Sequence, residues 1–291
     1  MDLLFVGGVN RSGSTLLQKI LTLHSGVEGG PEFDFMPHLM RTYRQMKSEH
    51  HLDRQSYFYS AEALRAHWQS FIRSLLGVSD QDEGEMGTQL FSEKTPRNIF
   101  VADLVLELFP SSRFVYIYRD GRAVVNSLLQ VKKRYEQQGE QPPFDIRLIP
   151  ACQEWIRGQT AFTRLRKQFA SDRIHSVRYE RLIEHPAKEI EMLMAFLDLA
   201  PESQQLSPGD FSSTDMDTYV DDRWYTEEMY SQSFNMGNID KWKEELPASH
   251  RFAASVFMAE ALSESGYEVS KLQKALHRIL KRAHAVWRSG I

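Results

Sequence analysis

The chain has 291 residues, room for one large α/β domain or two small ones, and 42% of them are hydrophobic, enough for a full core. A net charge of −4 excludes the global basic field that nucleic-acid binding draws on. The one cysteine, Cys152, excludes an intrachain disulfide and suits a reducing compartment. The apolar first ten residues lack a basic n-region and a cleavage site, and no run approaches the ~20 apolar residues that cross a bilayer. A soluble, cytoplasmic protein is the expectation.

Residues 3–9 form an apolar run with the look of a buried strand. Gly8 to Thr15 then read G-V-N-R-S-G-S-T, which fits the phosphate-loop pattern G-x-x-x-x-G-K-[ST] except that Ser14 replaces the lysine. Leu16, Leu17, Ile20 and Leu21 follow at helical spacing. Strand, glycine-rich turn and helix N-terminus in that order build an anion site from backbone N–H groups and the helix dipole. The absent lysine is the group that reaches the β and γ phosphates of a nucleoside triphosphate. A site with Arg11 and Ser14 in its place suits a smaller or different anion.

Farther along, residues 26–37 read as a loop carrying glycine and acid. Residues 39–51 and 61–76 read as helices with basic polar faces, and the acidic run 80–85 as a solvated loop. A short strand is expected at 89–92, then Glu93-Lys94-Thr95-Pro96 and a helix over 98–109. Arg113–Tyr118 (RFVYIY) reads as a buried strand. Helices are expected at 121–137 and 151–169, a strand at 174–178, and a helix from Pro186, a favourable first position, to Leu197. Residues 204–238 are polar, dotted with aromatics and aperiodic. A helix over about 250–265 follows, then a final one over 271–288 that carries an apolar stripe (Leu272, Leu276, Ile279, Leu280, Ala283, Trp287) and a basic opposite face. That last helix reads either as docked on the body or as a surface for an acidic partner or a membrane. Strands alternating with helices predict an α/β fold with a mostly parallel sheet.

In open α/β sheets ligands bind beyond the carboxyl ends of the strands. The first strand leads into Arg11 and Ser14, the second into Lys94, RFVYIY into Arg119, and the strand at 174–178 into Arg178 and Tyr179. Four strand ends delivering cations or hydroxyls to one edge imply an anionic ligand with more than one charged group. Arg119 opens R-D-G-R-A-V-V-N-S, which puts Ser127 two helical turns on. Taken alone, Arg119 also reads as a strand-end salt bridge to Asp120 or Glu93.

The motifs N-R-S-G-S-T-L-L, E-K-T-P-R-N, Y-R-D-G-R-A-V-V-N-S and V-R-Y-E-R-L-I-E-H-P, in that order over residues 3–242, resemble the sulfotransferases that use 3′-phosphoadenosine 5′-phosphosulfate (PAPS). G-P-E-F and F-N-M-G-N-I-D-K-W resemble the tyrosylprotein branch. The resemblance implies a P-loop-type three-layer fold, with helices flanking the sheet and one domain over 1–270 before the terminal helix. The N–H groups from Arg11 through Ser12, Gly13, Ser14 and Thr15 would hold the 5′-phosphosulfate, and Arg119 and Ser127 the 3′-phosphate. Tyr179 would lie against adenine or ribose, while Asn235 and Lys241 belong to a segment closing over the nucleotide. Thr226 takes the place of a serine that touches the sulfate. Glu32 would be the catalytic base, with Asp34 as the alternative, and Lys94 and Arg11 the cations at the sulfuryl and bridging oxygens. No metal is implied, and His24, His38, His50 and His51 have no ligand spacing.

A phenol with a pKa of about 10 needs a positioned base at neutral pH. The implied acceptor is a tyrosine in a protein or peptide, with acidic flanks if the basic stretch 39–54 forms a cleft. A small-molecule or carbohydrate hydroxyl is the alternative. The product nucleotide would be 3′-phosphoadenosine 5′-phosphate (PAP), and related enzymes are often homodimers. Unlike the secretory-pathway members, this chain has neither a membrane anchor nor cysteine pairs and resembles a bacterial relative. Two readings of another class compete: a P-loop kinase or NTPase, which would need Mg²⁺ ligands and a Walker-B aspartate that RFVYIY-Arg-Asp does not supply, and a nucleotide-binding module without turnover.

Overall fold

A computed structural model describes residues 1–78, 89–209, 223–224 and 234–289, the side chains of 284–289 excepted. Five strands form one wholly parallel sheet in the order β2-β3-β1-β4-β5: β1 Asp2–Gly8, β2 Val27–Gly29, β3 Leu90–Lys94, β4 Arg113–Tyr118 and β5 Ile174–Arg178. Helices cover both faces, so β1 and β4 read as unbroken apolar runs rather than alternations. Leu3, Phe5, Phe114 and Tyr116 point to one face, against α2 Met36–Met46, α4 Ala61–Leu75, α5 Ala102–Leu108 and α7 Leu148–Gln168. Leu4, Val6, Val115, Ile117 and Val177 point to the other, against α1 Ser14–Thr22 and α9 Pro186–Leu197. A third core joins α6 Gly121–Gln137 and α7 to α12 Ala248–Phe257 around the fully buried Trp155. This is the α/β fold expected from the alternation of strands and helices, in the three-layer form that the resemblance implies.

Local differences have local causes. The loop at 26–37 begins with a three-residue strand, β2, held to β3 through Val27↔Leu90. It is too short and too glycine-rich to show a strand pattern. The helix expected over 39–51 starts earlier, at Met36 with proline next to it, and breaks at the extended Ser48 before α3 Glu49–Gln55. The one expected over 98–109 is a 3₁₀ turn, Pro96–Phe100, and then α5, parted at Val101 with φ −134°. The helix over 250–265 is likewise two, α12 and α13 Ala259–Glu264. Two further elements complete the site edge: α8 Tyr179–Glu184 directly after β5, and the pair α10 Gly237–Asp240 and α11 Trp242–Glu245. The terminal helix, α14 Lys271–Ser289, lies on α12 and α13. The acidic run 80–85 lies outside the described residues. Among the described residues no helix is long and apolar enough to cross a membrane.

Candidate active site

β1 stands between β3 and β4; the chain leaves β1 toward β2 on one side and leaves its neighbour β4 toward β5 on the other, so a crevice opens beyond the carboxyl end of β1. The loop from Val9 to Gly13 fills the floor of that crevice. Arg11 and Gly13 both take positive φ, 73° and 99°, and Ser12 N–H closes the turn on the Val9 carbonyl at 3.1 Å. Successive residues in such conformations turn backbone N–H groups to one side, where an anion can sit. No side chain caps the amino end of α1, and its first turn carries no acid. Gly13 is required twice over. Its φ is in the left-handed region, and a Cβ there would lie 2.4 Å from Cδ2 of Tyr179.

Tyr179, buried at the start of α8, therefore packs its ring directly on Gly13 of the loop. The Arg119 guanidinium stacks over the same ring at 4.4 Å and donates to the Asn238 carbonyl. Its Nε is buried and has no hydrogen-bond partner, an orphan donor at the end of β4. The salt bridge that Arg119 could have made is absent, because Asp120 is taken by Arg122 and caps α6 through the Arg122 N–H. Trp155 Nε1 donates to the Arg119 carbonyl at 3.0 Å and fixes the backbone there. Arg11 Nε donates to Ser127 Oγ at 3.0 Å, and its Nη1 to the Trp224 carbonyl at 2.6 Å. Ser12 and Ser14 are buried; Thr15 is half-buried.

On the other side of β1, the register Val6↔Lys94 sets Lys94 at the end of β3. Lys94 is 3% exposed, and its Nζ donates to Glu32 Oε1 at 2.6 Å. The two residues, 62 apart in sequence, meet where the β2–α2 loop folds back over the strand end. Asp34, in the same loop, sits at φ 56° and its N–H donates to Thr95 Oγ1. Burial, and then the nearby Glu32 charge, push its carboxyl above the ordinary carboxylate range, while Lys94 and Arg97 pull the other way. Lys94 thus chooses Glu32 over Asp34 as its partner.

Sequence reasoning missed Glu93 and Asn98, although both stand in E-K-T-P-R-N. The Glu93 carboxylate is buried; it accepts Thr95 Oγ–H at 2.7 Å, Asn98 Nδ2 and the Phe33 backbone N–H. Asn98 Nδ2 also reaches the Val6 carbonyl at 3.3 Å. This polar knot binds the Glu32 loop to the ends of β1 and β3. Burial raises the Glu93 pKa to about 7.

Three expected residues do not join the crevice so directly. Arg178 stacks on Tyr267 at 4.2 Å and pairs with Glu180, so it supports α8 rather than facing the edge. Asn235 Oδ1 accepts the Gly237 N–H in a local turn. Lys241 is exposed and pairs with Glu245, which in turn accepts from Asn126 of α6 at 2.7 Å. Thr226 lies outside the described residues.

The profile of the sulfotransferase family matches residues 3–203, from β1 to the turn after α9. The protein-tyrosine sulfotransferase of Drosophila melanogaster is 26% identical over 272 residues, 92% of this chain and 52% of the fly protein. Protein-tyrosine sulfotransferase 1 of Danio rerio is 29% identical over 204 residues, 68% of this chain and 54% of the fish protein. The chain therefore spans about half the length of these two relatives. In fold it is similar to the sulfotransferase domain of the curacin biosynthetic pathway, with a TM-score of 0.63 and 20% identity over 92% of this chain and 99% of that one. It is also similar to a mouse sulfotransferase crystallised with PAP, with a TM-score of 0.54 and 10% identity over 95% and 88%. The family profile covers the anion loop, the Glu32–Lys94 pair, Arg119 and Tyr179 in one span, and this chain belongs to the sulfotransferase family.

Proposed function

We propose that this protein transfers the sulfuryl group of PAPS to an acceptor hydroxyl, with a tyrosine in a protein or peptide as the acceptor. The observation that carries the reading is the 2.6 Å pair of Lys94 and Glu32 beside the lysine-less anion loop. It sets one buried cation and one carboxylate together where a donor's reacting end would lie. The protein-tyrosine sulfotransferases of fly and fish support the tyrosine acceptor. The mouse structure's bound PAP supports the nucleotide.

The residues fit that nucleotide. The loop N–H groups from Arg11 to Thr15 and the hydroxyls of Ser12, Ser14 and Thr15 would take the 5′-phosphosulfate. The orphan Nε of Arg119, with Ser127, would take the 3′-phosphate, and Tyr179 would line the adenosine. Lysine at position 14 is dispensable because the donor has no γ-phosphate. PAPS supplies an activated sulfuryl group; the protein supplies the base and the charge. Glu32 accepts the acceptor's proton, since an ionised carboxylate has two oxygens with about four lone-pair sites and is not saturated by Lys94. The hydroxyl oxygen bonds to sulfur as the bond from sulfur to the 5′-phosphate oxygen breaks. Lys94 and Arg11 neutralise the charge that grows on the departing phosphate, the kind of fixed electrostatic aid that dominates many enzymes' rates. Asn235 and Lys241 would close over the nucleotide, and Thr226 would take the place of the serine that touches the sulfate.

Thermal unfolding with PAP and with ATP, both in EDTA, tests the nucleotide: PAP alone should raise the midpoint. A shift with ATP alone, or with neither, overturns the reading. Glu32→Ala should abolish sulfate transfer to a tyrosine peptide and keep the PAP shift. A variant that binds PAP and still turns over at the wild-type rate removes Glu32 as the base.

A further inference from the structure

Helix α14 is docked by the face that would ordinarily meet water. Lys274 Nζ donates to Ser263 Oγ at 2.9 Å, His277 Nδ1 to the Val256 carbonyl at 2.9 Å, and Lys281 Nζ to Glu260 at 2.6 Å. Spaced by three and four residues, these side chains share one face, and that face holds the helix to α12 and α13. Leu272, Leu276, Ile279, Leu280 and Ala283 fall on the opposite side at i, i+4, i+7, i+8 and i+11. Leu272 and Ile279 are each 61% exposed and Leu280 54%. The apolar stripe thus lies outward, along a helix that the body fixes by hydrogen bonds and an ion pair.

Charge indicates what covers it. Lys271–Ser289 contains six lysines and arginines and no aspartate or glutamate, in a chain whose net charge is −4. At 100° per residue, Lys271, Arg278 and Arg282 line one border of the stripe, and all three are exposed. A second copy laid antiparallel against this face would set these cations against their own counterparts, and one laid parallel would leave them without an anionic partner. An anionic lipid surface meets both features, headgroups on the cationic border and acyl chains on the leucines and isoleucine. A large apolar moment, low mean hydropathy and a Lys/Arg border are the marks of a helix lying in the interfacial plane. We propose that α14 seats the protein on an anionic lipid bilayer, its stripe in the interface and the body held above it.

Flotation of the full chain with vesicles of phosphatidylcholine, with and without phosphatidylglycerol, tests this. The wild type should float with the anionic vesicles and not with the neutral ones, and should release as salt is raised. Ile279→Ser with Leu280→Ser should weaken flotation about tenfold or more by removing buried apolar area. Arg278→Glu with Arg282→Glu should weaken it at least as much by reversing the border charge. All four positions are exposed and outside the active site, and circular dichroism confirms that each variant keeps its fold. The proposal fails if the wild type stays with the buffer, floats equally on neutral vesicles, or floats unchanged in either variant. It fails too if sedimentation finds a wild-type dimer that the serine variant dissociates, which would assign the stripe to a second copy.

Discussion

Glu93→Gln is the perturbation that the polar knot beneath the site makes most informative. Burial holds the Glu93 carboxyl at about pKa 7, against 4.5 for an ordinary glutamate, although Thr95, Asn98, Lys94 and the Phe33 N–H all favour the ionised form. The folded state therefore keeps a proton that the unfolded chain releases near pH 4.5. The stability this gives is complete below that pH and is lost as pH rises through about 7. At 1.36 kcal/mol per pKa unit, the loss across that window is about 3 kcal/mol. Glutamine fills the same volume and does not titrate. Its amide nitrogen would face Asn98 Nδ2 or the Phe33 N–H, donor against donor, at a cost of about 1–3 kcal/mol. The variant should thus be the less stable protein at about pH 5, and the difference should move in its favour by about 2.5 kcal/mol by about pH 8, closing or reversing the gap. Urea unfolding at half-unit pH steps measures both curves. Parallel curves across that range would refute the reasoning, because they would mean that Glu93 carries the same charge folded and unfolded.

Gly13→Ala should cost about 1–2 kcal/mol from its left-handed backbone alone and should abolish the PAP-induced shift, because its Cβ displaces Tyr179. Gly139→Ala, at φ 74° but with open space around it, is the control, with a similar backbone cost and an unchanged PAP response. Trp155→Phe removes the donor that fixes the Arg119 carbonyl and should lower stability by about 1–3 kcal/mol, seen as a lower thermal midpoint. Arg119→Lys loses the planar stack on Tyr179 and should weaken PAP binding about tenfold by titration calorimetry, with turnover retained at saturating PAPS.

The sheet was legible because its strands are buried on both faces. The run 3–9 and, after its leading Arg113, RFVYIY have no charged positions to suggest an amphipathic helix, and both came out within a residue or two at either end. The anion loop was legible because positive φ favours glycine, and Gly13 stands where the pattern puts it. Motifs pick out Glu32 and Lys94 one by one, but not their contact, since a meeting across 62 residues depends on how the β2–α2 loop folds back. Nothing in a sequence period reports that. Glu93 was passed over for a related reason: a charged residue in E-K-T-P reads as solvated until a sheet buries it. The break at Val101 hid behind an apolar spacing that a 3₁₀ turn and an α-helix satisfy equally well. For Arg119, the salt bridge that would have made it structural was ruled out only by seeing Asp120 committed to Arg122.

The loop lacks its lysine, yet a lysine stands beside it, one strand over. Val6↔Lys94 fixes that cation to the strand feeding the loop, so its position is set by sheet register rather than by the loop's own conformation. A lysine on the loop would travel with the nucleotide phosphates. In the proposed reaction, one on β3 would instead face the reacting end of the donor and be shared with the acceptor side through Glu32. Charge and base then arrive as one unit, locked by the Glu93 knot. Removing Lys94 leaves Glu32 without the partner that orients it, and removing Glu32 leaves a buried ammonium unpaired. The two single losses should therefore overlap heavily, and a double-mutant cycle on Lys94→Ala and Glu32→Ala should fall well short of additivity in sulfate transfer. Strict additivity would mean that the ion pair is a contact of the resting protein with no part in the reaction.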